Sequence, residues 1–143
     1  MKVLFNASVV LAGLRSETGA SGVLLKLVRG GKIRGIISEL IFNETLRHSK
    51  KIGMDEERLG REVVEVFNNN VFKLPQEGIV EKYYPFVSDR GDAHVLASYE
   101  QEDCDVLVTL DKKHLLVLQG KIKGVKIVSP GELLLARSKR RVK

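Results

Sequence analysis

The stretch CDVLVTLD (104–111) sets Val106, Leu107 and Val108 in a row between acidic residues. No position in that run is polar, so a strand there has no face to give to water and needs cover on both sides. The same signature recurs, shorter, in KVLFN (2–6), IRGIIS (33–38), VFKLP (71–75) and GVKIVS (124–129). Segments with helical spacing alternate with them. SGVLLKLVRG (21–30) has Ser21 as a cap and Gly30 and Gly31 as a stop, and SELIFNETLRHSKK (38–51) follows. MDEERLGREVVEVFNNN (54–70) is capped by Asp55 and ended by Asn68 to Asn70. The latter part of DRGDAHVLASYEQED (89–103), then KKHLLVLQG (112–120) and PGELLLAR (130–137), complete the set. This alternation predicts an α/β fold, a three-layer α/β/α sandwich around a short, mainly parallel sheet. In such folds ligands sit beyond the carboxyl ends of the strands. Chemistry is therefore expected at Asn6, Ser38 and Asp111, and on helices that reach that edge.

At 143 residues the chain is read as one domain, residues 1–136, followed by a basic tail at 137–143. No apolar run approaches the roughly 20 residues of a membrane span. No secretory signal pattern opens the sequence, and the one cysteine, Cys104, has no partner for an internal disulfide. A cytoplasmic location is expected on these grounds. The net charge is +6 and the pI about 9.5, which suits an anionic partner such as RNA or DNA. Part of that excess is terminal, because ARSKRRVK (136–143) carries five of the 24 basic residues.

Several α/β chemistries are excluded. The glycines of GLRSETGASG (13–22) are not spaced for a dinucleotide, and RGGK (29–32) lacks the remainder of a phosphate loop. No G-x-S-x-G elbow occurs, and three scattered histidines with one cysteine do not make a zinc site. What remains is a set of acids. Glu44 falls on the apolar stripe of Leu40 and Ile41, where a carboxylate needs a partner, a metal or a route to water. Asp92 opens a helix and, with Asp89 three residues earlier, also fits a capping box. Asp111 follows the strongest strand and could cap the turn after it. Each has an ordinary explanation alone. A parallel sheet nonetheless brings the strand ends at Asn6 and Asp111 to one edge, where three carboxylates and an amide oxygen suit Mg²⁺ or Mn²⁺.

At four places the chain resembles the PIN-domain ribonucleases, in particular the toxin-like (VapC-type) prokaryotic proteins. KVLFNASVV resembles the family's first strand, which normally ends in Asp-Thr-Asn, and SELIFNETL the helix that carries its Glu. DRGDAHVLASY resembles the segment of the central Asp, and VLVTLDKKHLL the strand with Thr-x-Asp after it. The resemblance implies a metal-dependent endoribonuclease, the toxin of a toxin–antitoxin pair. It implies magnesium or manganese as cofactor, RNA as substrate, a protein antitoxin and a homodimer as partners. Carried over, Glu44, Asp92 and Asp111 are the catalytic acids, and with Asn6 they hold the metal. Ser8 and Thr109 are supporting residues, and Arg15, Lys112 and Lys113 are candidate RNA contacts.

Two departures matter. Asn6 stands where the family has its first Asp, and Lys113 stands where many members place a further acid. An uncharged ligand weakens the attraction for a divalent ion and the activation of its water. Three accounts follow: a weakened or Mn²⁺-preferring nuclease, a PIN-like module that binds RNA or a partner without cutting, or a substitution introduced to disarm a toxic enzyme.

Overall fold

The computed structural model describes residues 1–142, with side chains for residues 1–139. β1 (Lys2–Phe5) lies at the centre of a five-stranded sheet with β2 (Arg34–Ser38), β3 (Val71–Phe72), β4 (Val106–Val108) and β5 (Ile127–Val128). The order is β3-β2-β1-β4-β5, with parallel pairing throughout. Leu4 pairs with Ile36 on one side and Leu107 on the other, and all three are essentially inaccessible to water. This is the three-layer α/β/α arrangement that the doubly apolar strands demand.

Among the described residues eight helices cover the two faces: α1 (Ala7–Arg15), α2 (Ala20–Arg29), α3 (Glu39–Arg47), α4 (Ser49–Ile52), α5 (Glu56–Val66), α6 (Glu77–Glu81), α7 (Arg90–Gln101) and α8 (Pro130–Val142). Two differ from the sequence reading by being additional. Helix α1 follows β1 directly, and its ASVVLAGL run shows little period because Ala7, Val9, Val10 and Gly13 are all buried. Helix α6 spans only five residues, too few to display a stripe. The 38–51 segment also divides. His48 interrupts it, its ring Nδ1 bonded at 2.9 Å to the Glu44 carbonyl, and Gly53 with φ +78° closes α4. The strand expected at 104–111 contracts to three residues, and the 112–120 segment forms turns and one 3₁₀ turn at Leu116–Leu118.

Helix α8 passes through the domain boundary expected at residue 137 and continues to Val142. Side chains of the basic tail from residue 140 on, and Lys143 altogether, lie outside the described residues.

Gly35 shows how tightly the layers meet. A methyl group built there would lie 2.7 Å from both Cγ atoms of Val28, so α2 rests directly on the β2 backbone. On the same side Phe5 and Phe67 meet edge to face, with ring centroids 5.2 Å apart. The packing fixes where each strand ends, and so where the side chains just beyond the ends must stand.

Candidate active site

Asn6 is the first residue past β1 and the N-cap of α1. Its backbone N–H bonds to the Val108 carbonyl at 3.0 Å, continuing the β1–β4 ladder one step beyond the strands. Its side-chain Oδ1 accepts three hydrogen bonds: from the Ser8 N–H at 3.3 Å, the Ser8 hydroxyl at 2.8 Å and the Thr109 hydroxyl at 3.3 Å. A backbone N–H can only donate, so the atom facing Ser8 is the oxygen and not the amide nitrogen. The Ser8 hydroxyl in turn accepts from the Leu110 N–H at 3.1 Å, and the Thr109 hydroxyl from the Asp111 N–H at 3.1 Å. Ser8 and Thr109 thus join Asn6 in one hydrogen-bond network. They tie the α1 N-terminus to the loop that carries Asp111.

Ser38, at the end of β2, is occupied as the N-cap of α3, accepting from the Ile41 N–H at 3.2 Å. Helix α3 then carries Glu44 to the strand-end side. Helix α7 presents Asp92 in its first turn. Its N-cap is Asp89, which accepts from the Gly91 N–H at 2.6 Å. Among the described residues the Asp92 carboxylate accepts no hydrogen bond, so the capping explanation falls to Asp89 alone. Asp111 does cap its own turn: one oxygen accepts from the His114 N–H at 3.0 Å, and the other lies 3.3 Å from His114 Nδ1.

These side chains line one cleft of about 310 Å³, formed by Asn6, Glu44, Arg47, Asp89, Asp92, Asp111 and His114 against the apolar walls of Leu40 and Val95. A larger hollow of about 660 Å³ between α3 and α5, lined by Phe42, Leu46, Gly60 and Val64, shares no residue with it. Within the cleft Asp92, Asp111 and His114 are tightest, with one potential ligand atom of each within 4.8 Å of the others. The electrostatics register the crowding. Asp92 is half-buried, and its carboxyl is pushed up to about 6, mainly by desolvation and then by the charges of Asp89, Asp111 and Glu44, with His114 opposing.

The other sequence-predicted residues are placed elsewhere. Arg15 is in the last turn of α1, about 13 Å along the helix from its N-terminus at 1.5 Å per residue. Lys112 and Lys113 are exposed and follow Asp111, but do not line the cleft. The cation that does line it is Arg47, one turn beyond Glu44 on α3. Sequence reasoning missed Arg47 and His114. The available signals were their i+3 spacings from Glu44 and Asp111, which place them on the same side of a helical turn as the acids.

None of the curated proteins compared matches the chain in sequence. Solved structures do match in shape. FitAcB from Neisseria gonorrhoeae superposes with a TM-score of 0.67 at 15% identity, over 90% of this chain and 97% of the other. A toxin–antitoxin complex from Klebsiella pneumoniae gives a TM-score of 0.65 at 21% identity, over 90% and 97%. VapBC2 from Rickettsia felis, bound to a DNA fragment from its promoter, gives 0.60 at 12% identity, over 90% and 98%. Likeness at such identities speaks for the fold. The sequence itself carries the family: a PIN domain model matches residues 2–113, from the middle strand through the loop that bears Asp111, and the chain belongs to the PIN domain family.

Proposed function

We propose that the cleft is the active site of a metal-dependent endoribonuclease that hydrolyses RNA phosphodiesters, the toxin component of a toxin–antitoxin pair. One observation carries the reading. Glu44, Asp92 and Asp111 come from segments far apart in sequence, yet they share one small cleft at the carboxyl edge of a parallel sheet, where the proton affinity of Asp92 is raised. Holding carboxylates together in that way costs energy, and a divalent cation offsets it. The donors are hard oxygens with an imidazole at the margin, a set that fits Mg²⁺ or Mn²⁺.

Glu44, Asp92 and Asp111 would hold one or two such ions. Bound there, a divalent ion supplies a Lewis acid for a phosphate oxygen and lowers the pKa of its water. Arg47 reaches the cleft with a guanidinium suited to a backbone phosphate. Leu40 and Val95 give the cleft its apolar walls. Thr109 and Ser8 hold the Asp111 loop in register with β1 through Asn6. The net charge of +6 supports a nucleic-acid substrate. The likeness to toxin–antitoxin complexes supports a protein antitoxin as partner. The same reading expects a homodimer working in the cytoplasm. Among the described residues no helix is long and apolar enough to cross a membrane.

The second reading is a PIN-like module that binds RNA or a protein without cutting. It is favoured by Asn6, whose oxygen is engaged by Ser8 and Thr109. Cleavage of a quenched fluorescent single-stranded RNA, with and without Mn²⁺, separates the two. The nuclease reading expects Mn²⁺-dependent cleavage that Asp92→Asn abolishes while cooperative unfolding persists. Cleavage gained only in Asn6→Asp would mark a disarmed site. A wild type and Asn6→Asp that both bind the RNA and leave it intact would establish the module instead.

A further inference from the structure

The acceptor capacity of Asn6 is already spent. A carbonyl oxygen has two lone pairs, and Oδ1 faces three donors from Ser8 and Thr109. Turning the amide over would set its NH₂ against the Ser8 N–H, donor against donor. Asn6 lines the cleft, and its oxygen is engaged by Ser8 and Thr109, neither of which lines it, so the NH₂ is the group left to offer there. An NH₂ has no lone pair for a cation. In the same cleft His114 brings a ring nitrogen to within 4.8 Å of carboxylate oxygens of both Asp92 and Asp111. Its position is set by Asp111, which accepts from the His114 backbone N–H at 3.0 Å and lies 3.3 Å from Nδ1. The side chain is about half exposed.

We propose that His114, and not Asn6, completes the divalent-cation site with Asp92 and Asp111, while the amide NH₂ of Asn6 faces an anionic oxygen of the substrate. The inference rests on the metal-dependent reading of the cleft and assigns its ligands. A nitrogen donor among carboxylates moves the preference from Mg²⁺ toward Mn²⁺ and later transition ions. The loss of a carboxylate at position 6 is thus answered by a ligand from a different part of the chain, one turn past Asp111.

The test uses Mn²⁺ alone on the full chain, in imidazole-free buffer, with affinity from calorimetry and ligation from pulsed electron paramagnetic resonance. Wild type is expected to bind Mn²⁺ and show nitrogen modulation from a coordinated imidazole. His114→Gln should lose that modulation and bind about tenfold or more weakly, at least the loss seen when a supporting partner of a metal ligand is removed. His114→Asp should keep Mn²⁺ without the nitrogen signal and gain affinity for Mg²⁺. Asn6→Ala should keep the nitrogen modulation, since the imidazole that gives it stays in place. Mn²⁺ binding with no nitrogen signal in the wild type, or an undiminished signal in His114→Gln, would overturn the assignment of His114 while leaving the metal site standing. A wild type that binds no Mn²⁺ would overturn the metal-dependent reading itself, and this assignment with it.

Discussion

Asp92→Asn separates a carboxylate that serves the helix from one that serves the cleft. The Asp92 carboxyl is pushed from 3.8 up to about 6, mainly by desolvation and then by Asp89 and Asp111. Because its pKa is raised in the folded state, the stability tied to its protonated form is complete below pH 3.8 and lost as pH rises through 6. At pH 7 the ionised group would cost about 3 kcal/mol if fully shielded from water. It is only partly buried, and solvent screening reduces that to about 1.5 kcal/mol. Removing a negative charge from the first turn of α7 gives back about 0.5 kcal/mol through the helix dipole. Asparagine should therefore stabilise the metal-free protein by about 1 kcal/mol at pH 7, or about 4 °C in Tm for a chain of this size. The assay is thermal unfolding in a chelator from pH 4 to 8. The advantage of the variant should open between about pH 4 and 6 and vanish at the acid end. Added Mn²⁺ should reverse the ranking, since it stabilises only the protein that binds it. A variant less stable than wild type at pH 7, with no pH-dependent gap, would show that Asp92 serves the helix dipole and would refute the crowding argument.

Other substitutions test the frame around the cleft. Thr109→Val keeps the shape of a fully buried side chain but removes the donor to Asn6 and the acceptor for the Asp111 N–H. It should cost about 1–2 kcal/mol in urea unfolding, and an unchanged midpoint would show that the network carries no stability. Gly35→Ala sets a methyl 2.7 Å from Val28 and should destabilise by about 1–3 kcal/mol, against little effect if α2 can shift outward. Arg47→Ala should weaken RNA binding and reduce the salt slope of the affinity by about 1, while Arg15→Ala leaves that slope alone. The reverse ranking would place the RNA along α1 and not over the cleft.

The strands and the long amphipathic helices were legible because their patterns are local. Val106 to Val108 must be covered on both faces wherever they lie, and Asn68 and Asn69, with φ of 52° and 66°, end α5 where the sequence marks a stop. The gathering of Glu44, Asp92 and Asp111 followed from a general property of parallel sheets together with the order of the motifs. Helix α1 left no such mark, since a helix buried on most sides loses its period. The roles of individual groups were decided in three dimensions. Asp89 and Asp92 look alike as helix-opening acids, and only the fold makes one a cap and, among the described residues, leaves the other without a donor. Arg47 and Arg15 are equivalent as charges, and helix direction takes one into the cleft and the other about 13 Å down α1. Asn6 could be read from sequence as an amide at a carboxylate's position. Which end of that amide meets the cleft depends on Ser8 and on Thr109, the latter a hundred residues away, because hydrogen-bond direction is set by the donors that folding brings alongside.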